Sequence, residues 1–208
     1  MVVNALPPVR LEWKHYDTFY KKINQGIYQG NYPQSLGLFH CYTKIRMEIA
    51  LNALKCLKKY LPPKTTQEFP FRCSLHSFLT HVKSAIDGLT EEINLLYRID
   101  PKLTAKGKTM SIEKLQKREN KKKLTQANHQ LLTEISNATK AKWFTDLKTL
   151  RDEEAVHGAI SGKNWLAILG GGSPIIKLGM KGVSDFATWC PDILKETNKF
   201  LERCYQHM

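Results

Sequence analysis

Residues 75–97, LHSFLTHVKSAIDGLTEEINLLY, carry the strongest hydrophobic pattern in the chain. Apolar residues recur there every three or four positions, the spacing that places side chains on one face of an α-helix. The pattern ends at Asp100-Pro101, because the residue before a proline disfavours the helical conformation. The segment predicts a long amphipathic helix whose buried face is Leu75, Phe78, Leu79, Val82, Ala85, Ile86, Leu89, Ile93, Leu96 and Tyr97.

A second helical pattern precedes this one, between Leu38 and Leu61. Pro62-Pro63 closes it, so a short Pro-rich loop joins the two helices. Long amphipathic helices joined in this way pack antiparallel. The chain is therefore predicted to be all-α, an antiparallel helical bundle. The apolar face of the earlier helix consists of Tyr42, Ile45, Ile49, Ala53, Leu57 and Tyr60.

Weaker patterns fill the second half of the chain. Residues 124–150 predict one long helix or two helices end to end, and residues 183–205 predict a last helix interrupted near Pro191. Two short apolar runs on either side of a Gly-Gly-Gly-Ser turn favour a small β-hairpin near 164–178. A phosphate-binding loop is the alternative, but these glycines lack the GxxxxGK[ST] arrangement.

Composition also divides the chain into parts. Residues 1–37 predict an N-terminal arm packed on the body, with a short helix over 11–23. Residues 38–208 are predicted to form a single helical domain with a basic linker at about 99–123. The arm is recognised by prolines and glycines, which interrupt regular secondary structure and lie here among aromatic residues: Pro7, Pro8, Gly26, Gly30 and Pro33.

The chain is strongly basic, with 32 Lys and Arg against 19 Asp and Glu in 208 residues, a net charge of +13. Such a surplus attracts a polyanion, although a solvated surface also explains basicity alone. Clustering in the linker favours a local patch over an even spread, because only Glu113 and Glu119 oppose it, and the charge alone fits RNA, DNA or an acidic membrane surface. The predicted RNA-binding residues are Lys106, Lys108, Lys114, Lys117, Arg118, Lys121, Lys122 and Lys123.

Cysteine and apolar spacing argue against several classes of protein. The five cysteines are odd in number and form no CxxC pair, which fits neither a disulfide framework nor a zinc site. The longest apolar run, Trp165 to Leu169, is too short to span a bilayer, and the first residues lack the apolar run of a signal peptide. We expect a cytoplasmic protein with no membrane partner, no metal and no cofactor.

The candidate catalytic segment is Arg151-Asp152-Glu153-Glu154-Ala155-Val156-His157. Arginine holds a phosphate with two parallel donors, and histidine takes and gives a proton near neutral pH. On an ideal helix, Arg151 and His157 lie about 120° apart around the axis. They meet only if the backbone bends between them or if a second subunit completes the site. An exposed helix end without chemistry is the alternative interpretation.

An all-helical body with this motif at a helix junction resembles the HEPN superfamily of small helical ribonucleases and toxins. The hallmark of that family is an arginine, usually followed by a polar residue, and a histidine four to six residues further on. Here five residues separate Arg151 from His157, and Asp152 takes the polar place. The segments Ser84–Asp87 and Glu91–Asn94 also look like the helix that packs across the site in one bacterial branch. The resemblance covers roughly residues 38–205.

The resemblance implies metal-independent cleavage of RNA, in which the ribose 2′-hydroxyl attacks the neighbouring phosphate. Arg151 would hold the phosphate, His157 would act as general acid or base, and Asp152 would orient the pair. Asp87 and Glu91 stand at positions i and i+4 beside the apolar stripe, where they could face this site and pair with Arg151, although solvation of a helix flank is the other interpretation of these two carboxylates. The resemblance also implies a homodimer, a toxin or defence role and an antitoxin-like protein partner.

Two rival functions remain open at this point. The same bundle could be a non-catalytic module that binds nucleotide, RNA or a protein partner, because a fold hosts sites without guaranteeing chemistry. It could also be a purely protein-binding bundle, which predicts negligible affinity for RNA.

Overall fold

The computed structural model describes residues 9–60, 68–106, 108–157 and 186–208. The described residues form nine α-helices and no β-strand, so the protein is all-α, as its hydrophobic spacing predicts. The helices are α1 (Lys14–Tyr28), α2 (Gln34–Lys59), α3 (Glu68–Tyr97), α4 (Pro101–Ala105), α5 (Ile112–Leu115), α6 (Arg118–Ala127), α7 (His129–Lys140), α8 (Lys142–His157) and α9 (Phe186–His207).

The long helices extend beyond their predicted limits. Helix α3 begins at Glu68 and carries Pro70 in its first turn, where a backbone N–H has no intrahelical partner and a proline is tolerated. Helix α9 runs through Pro191 without the predicted interruption. Helix α1 is longer than the short helix predicted over 11–23, and it buries Tyr16 and Phe19.

Residues 118–157 form three helices, where the sequence predicts one or two. The break between α6 and α7 lies at Asn128, whose backbone is extended with φ −160°. The Asn128 side-chain oxygen accepts a hydrogen bond from the Leu131 amide at 3.0 Å, which caps the start of α7. The Asn128 amide nitrogen donates to the Tyr97 hydroxyl at 2.9 Å and to the His207 carbonyl at 2.7 Å. One side chain therefore begins a helix and ties two other helix ends to it.

Helix α3 ends in a left-handed residue, Arg98, with φ 50°. The Ile99 amide donates to the Asn94 carbonyl at 3.2 Å, and the Asp100 amide donates to the Asn94 side-chain oxygen at 2.8 Å. These bonds satisfy groups at the helix end that would otherwise lack partners. They hold Arg98 in a conformation that usually requires glycine.

The chain divides into two compact units. Unit 1 comprises Met1–Leu11, Glu48–Lys83 and Lys142–Glu196, and unit 2 comprises Glu12–Met47, Ser84–Ala141 and Thr197–Met208. Neither unit is bounded at residue 37, and the division into an arm over 1–37 and one domain over 38–208 stays a prediction.

Each unit has its own buried apolar residues. Those of unit 1 include Leu54, Leu57, Phe71, Leu75, Phe78, Leu79, Phe144, Leu147, Leu150, Ile193 and Leu194. Those of unit 2 include Phe19, Ile23, Leu36, Ile86, Leu89, Ile93, Leu131, Ile135, Phe200 and Leu201. Within unit 2 the α2 and α3 segments run antiparallel, because Thr43 lies against Gly88 and the earlier residue His40 meets the later residue Glu92.

The segment predicted as a linker at about 99–123 is more structured than its composition suggests. It contains α4, α5 and the start of α6. Ile99, Met110, Ile112 and Leu115 are each 0% exposed. A few well-placed apolar side chains are enough to fix a polar segment on a helical surface, because each removes its side chain from water.

Three further expectations concern a β-hairpin, a membrane-spanning helix and a metal site. The β-hairpin predicted near 164–178 lies outside the residues that the structure describes. Among the helices that are described, none has the length and apolar content needed to cross a membrane. The described side chains also include no cluster of three or more His, Cys, Asp or Glu that could hold a metal ion.

Candidate functional site

The Arg/His motif lies at the end of α8. The helix continues from Lys142 to His157 without a break inside the motif. At 100° and 1.5 Å per residue, the two positions lie about 120° apart around the axis and about 9 Å apart along it. Arg151 is half-buried, while Asp152 and His157 lie outside the residues whose side chains the structure describes. One unbroken helix therefore directs the two residues to different faces.

Asp87 and Glu91 lie on α3 in unit 2, where the two carboxylates have different environments. Glu91 is 1% exposed, and its carboxylate accepts a hydrogen bond from the Met110 amide. Asp87 is half-buried and lines a cavity within unit 2. The contact with Met110 gives Glu91 a structural role, which is to anchor the chain that leads into α5. That either carboxylate supports Arg151 stays a prediction.

The predicted RNA-binding cations fall into two groups. Lys114 donates to the Thr109 carbonyl at 2.7 Å, and Lys123 donates to the Ile99 carbonyl at 2.6 Å, so both stabilise the local fold. The other members are exposed: Lys106, Lys108, Lys117, Arg118, Lys121 and Lys122. Unit 2 therefore presents a dense set of exposed positive charges.

Helix α6 concentrates that charge on one face. Arg118, Lys121 and Lys122 stand at positions i, i+3 and i+4, which are neighbours on a helix surface. Glu119 lies about 60° further round the helix than Lys122, so it borders this face and does not fall between its cations. A row of cations with this spacing can contact successive phosphates of an RNA strand. We call Arg118, Lys121 and Lys122 the basic face of α6.

A buried polar network in unit 2 was not found from the sequence. The Glu92 carboxylate is 0% exposed and has three polar neighbours from two other helices. It lies 2.8 Å from His40 Nδ1, 2.7 Å from the Thr43 hydroxyl and 2.8 Å from the Tyr205 hydroxyl. A carboxylate needs several donors to be stable away from water, and this one has them. We call Glu92, His40, Thr43 and Tyr205 the Glu92 network.

The rings around His40 pack closely. Tyr16 stacks on the imidazole with ring centroids 3.7 Å apart and planes 12° apart, and its hydroxyl donates to the His40 carbonyl at 2.8 Å. The Tyr205 ring meets His40 edge-on at 5.2 Å. Because Glu92 accepts at Nδ1, the proton is assigned to that nitrogen. His40 Nε2 is buried and has no hydrogen-bond partner in the part of the chain that the structure describes.

The environment of the network affects its tyrosines. Burial, followed by the nearby negative charge of Glu92, raises the pKa of Tyr205 well above its ordinary value. Burial is also the main reason that the pKa of Tyr16 is raised. Both hydroxyls therefore stay protonated near neutral pH and serve as donors. The Glu92 network is enclosed, so its role is to hold α2, α3 and α9 together within unit 2.

The sequence holds only a weak signal for this network. Glu92 adjoins the apolar face of α3, which marks it as a charged residue beside a buried stripe. Its three partners lie 49, 52 and 113 residues away in the chain, so no local spacing reveals them.

The geometry thus supports two separate capacities: unit 2 presents an exposed cationic surface, and α8 carries an arginine and a histidine near its end. Comparisons of the chain with protein-family models, with curated proteins and with solved structures gave no match in any of the three.

Proposed function

We propose that this protein is a metal-independent endoribonuclease of HEPN type whose catalytic site is formed by two copies of the chain. The observation that carries this proposal is the placement of Arg151 and His157 within the last two turns of one unbroken helix. These two side chains supply the functions that RNA cleavage needs, a fixed positive charge on the phosphate and a group that transfers a proton.

The chemistry runs through the substrate's own ribose. The 2′-oxygen attacks the adjacent phosphorus, and the P–O bond to the 5′-oxygen breaks. His157 accepts the proton of the 2′-hydroxyl or donates one to the departing 5′-oxygen, and water serves as partner for the other transfer. Arg151 stabilises the negative charge that accumulates on the phosphate oxygens. The products are a 2′,3′-cyclic phosphate and a free 5′-hydroxyl. Asp152 orients the pair.

The helix geometry favours a site shared between subunits. Arg151 and His157 lie equally far along α8 on either side of Glu154. A twofold axis beside that residue sets Arg151 of one chain level with the partner's His157. The long side chain of Arg151 then spans the remaining distance to the partner's His157. Within one chain, the 120° separation around the helix axis keeps the two side chains apart. A homodimer is therefore part of this mechanism.

The exposed cations of unit 2 would gather the substrate. Each single-strand phosphate that a cation neutralises contributes about 0.7 to the slope of log affinity against log salt. The double variant Lys121→Gln/Lys122→Gln on the basic face of α6 should therefore lower that slope by about 1.4. Lys55→Gln/Lys59→Gln, two exposed lysines of α2, is the matched control and should leave the slope nearly unchanged.

Cleavage is tested with mixed single-stranded RNA in EDTA. The wild type should yield cyclic-phosphate ends, and both Arg151→Ala and His157→Ala should lose them. His129→Ala, an exposed histidine on α7, is the control and should cleave like the wild type. Unchanged cleavage in His157→Ala would remove this motif from the mechanism.

A second candidate function is RNA binding without cleavage. The basic face of α6 favours it, since that surface needs no second chain and no proton transfer. Salt-sensitive binding with no new RNA ends from the wild type would select it over the nuclease. Negligible RNA affinity at low salt would instead leave a protein-binding bundle.

The cellular role follows from the proposed activity. Unrestrained RNA cleavage harms the cell that contains it, so a cytoplasmic toxin or defence effector needs an antitoxin-like protein that restrains it. The partner would be identified as a protein, encoded by a neighbouring gene, that abolishes RNA cleavage when coexpressed and copurifies with this chain. If expression of the wild type alone leaves cell growth unaffected, the toxin role is contradicted.

A further inference from the structure

A cavity of about 400 Å³ opens between α2, α3 and the segment before α5. Helix α2 contributes Phe39, Tyr42 and Arg46, which share one face at positions i, i+3 and i+7. Helix α3 contributes Asp87 and Gly88. The volume falls within the range of small-molecule sites. Every lining residue belongs to unit 2, so the cavity lies within one compact unit.

Glycine at position 88 lets the two helices approach closely beside this cavity. A Cβ atom at that position would lie 2.7 Å from the Thr43 hydroxyl oxygen, far inside van der Waals contact. The same hydroxyl belongs to the Glu92 network, which fixes it 2.7 Å from the carboxylate. The helical walls are therefore held in place by buried contacts, so the cavity exists before any ligand arrives.

The third wall, at Thr109, is anchored independently. Its carbonyl accepts a hydrogen bond from Lys114 Nζ at 2.7 Å. The next residue, Met110, is 0% exposed, its carbonyl accepts from the Thr90 hydroxyl at 2.8 Å, and its amide donates to Glu91. A wall with this many fixed contacts reduces the entropy lost when a ligand binds.

The lining combines chemical groups that together suit a nucleotide. Tyr42 is 52% exposed and lines the cavity, so its ring can stack on a planar base. Arg46 can hold a phosphate through paired donors. Asp87 offers only acceptors when ionised, so it selects a base edge that presents donors.

We propose that this cavity binds a guanine nucleotide. The base stacks on Tyr42, its N1–H and exocyclic N–H donate to the two oxygens of Asp87, and its phosphate contacts Arg46. Adenine presents one donor and one acceptor on the same edge, so a carboxylate oxygen would face the adenine N1 lone pair. The site therefore prefers guanine over adenine. Since α8 belongs to unit 1, this proposal does not depend on RNA cleavage.

Calorimetry with GMP and AMP tests the proposal directly. The wild type should bind GMP saturably and at least about tenfold more tightly than AMP, the size expected for a bidentate base contact. Asp87→Asn should lose most of that preference, and Tyr42→Ala should weaken both nucleotides. Tyr28→Ala and Asp192→Asn, exposed residues of the same types outside the cavity, should bind GMP as the wild type does.

The source of the guanine is settled by a second arm with short single-stranded RNAs. A pentanucleotide with one guanine among uridines should bind more tightly than GMP if the site serves RNA, since further phosphates then reach the cations of unit 2. Free nucleotide is the ligand if GMP binds and the pentanucleotide does not. Circular dichroism verifies that each variant is folded.

The proposal is overturned by equal affinity for GMP and AMP in the wild type, or by no saturable GMP binding at millimolar concentration. It is also overturned if folded Tyr42→Ala and Asp87→Asn both bind GMP as the wild type does.

Discussion

Replacing Tyr205 by phenylalanine tests whether the Glu92 network stabilises unit 2. Tyr205 is 3% exposed, and its hydroxyl lies 2.8 Å from a Glu92 oxygen. The substitution keeps the ring, which packs edge-on against His40 at 5.2 Å, and removes only the hydroxyl. The carboxylate is then left with two of its three neighbours, His40 and Thr43.

A hydrogen bond to a charged group contributes about 1.5–3 kcal/mol to stability. The carboxylate is 0% exposed, so water does not replace the lost donor, and the expected loss of stability is about 2 kcal/mol. For a urea dependence of about 2 kcal/mol per M, the unfolding midpoint should fall by about 1 M.

Urea unfolding followed by circular dichroism measures this change. Tyr28→Phe is the matched control, because Tyr28 is 94% exposed and the same atom is removed. The control should change the free energy of unfolding by less than about 0.5 kcal/mol. A loss in Tyr205→Phe no larger than that of the control would refute the structural role of the network.

Three further predictions concern strain, packing and pH. Arg98→Gly should stabilise the protein by about 1 kcal/mol in urea unfolding, because glycine adopts the φ of 50° without strain. A destabilised variant would show that the contacts of the arginine side chain contribute more than the backbone strain costs. Gly88→Ala should destabilise it by about 1–3 kcal/mol, because the added Cβ meets Thr43, and a neutral change would contradict that close approach. The raised pKa values of Tyr16 and Tyr205 mean that unfolded tyrosines lose protons first as pH rises, so stability present below pH 10 should fall above it. Urea unfolding at pH 8 and above pH 10 checks this sign, and a stability that rises with pH there would contradict it.

The long helices could be predicted because their patterns are long. Helix α3 keeps one apolar face over more than five turns, which no strand or loop imitates. Its start was missed, because Pro70 looks like a breaker unless its place in the first turn is known. The break at Asn128 was missed for a related reason, since its cap depends on contacts with Tyr97 and His207 that are distant in sequence.

The candidate sites were predictable only where the signal is local. The exposed cations around α6 could be found from composition, because charge density needs no tertiary contact. The Glu92 network and the cavity at Tyr42 could not, because each is assembled from helices that only the fold brings together. The same limit applies to the Arg/His motif, whose spacing on α8 shows which faces the residues occupy but not what those faces meet.

The most direct test of the proposed nuclease is complementation between two inactive variants. Arg151→Ala and His157→Ala are coexpressed with different tags, and the doubly tagged dimer is purified and incubated with RNA in EDTA. If the site takes its arginine from one chain and its histidine from the other, each mixed dimer keeps one of two sites and should cleave at about half the wild-type rate. Mixed dimers that stay as inactive as either parent, beside an active wild type, would contradict a site shared between chains.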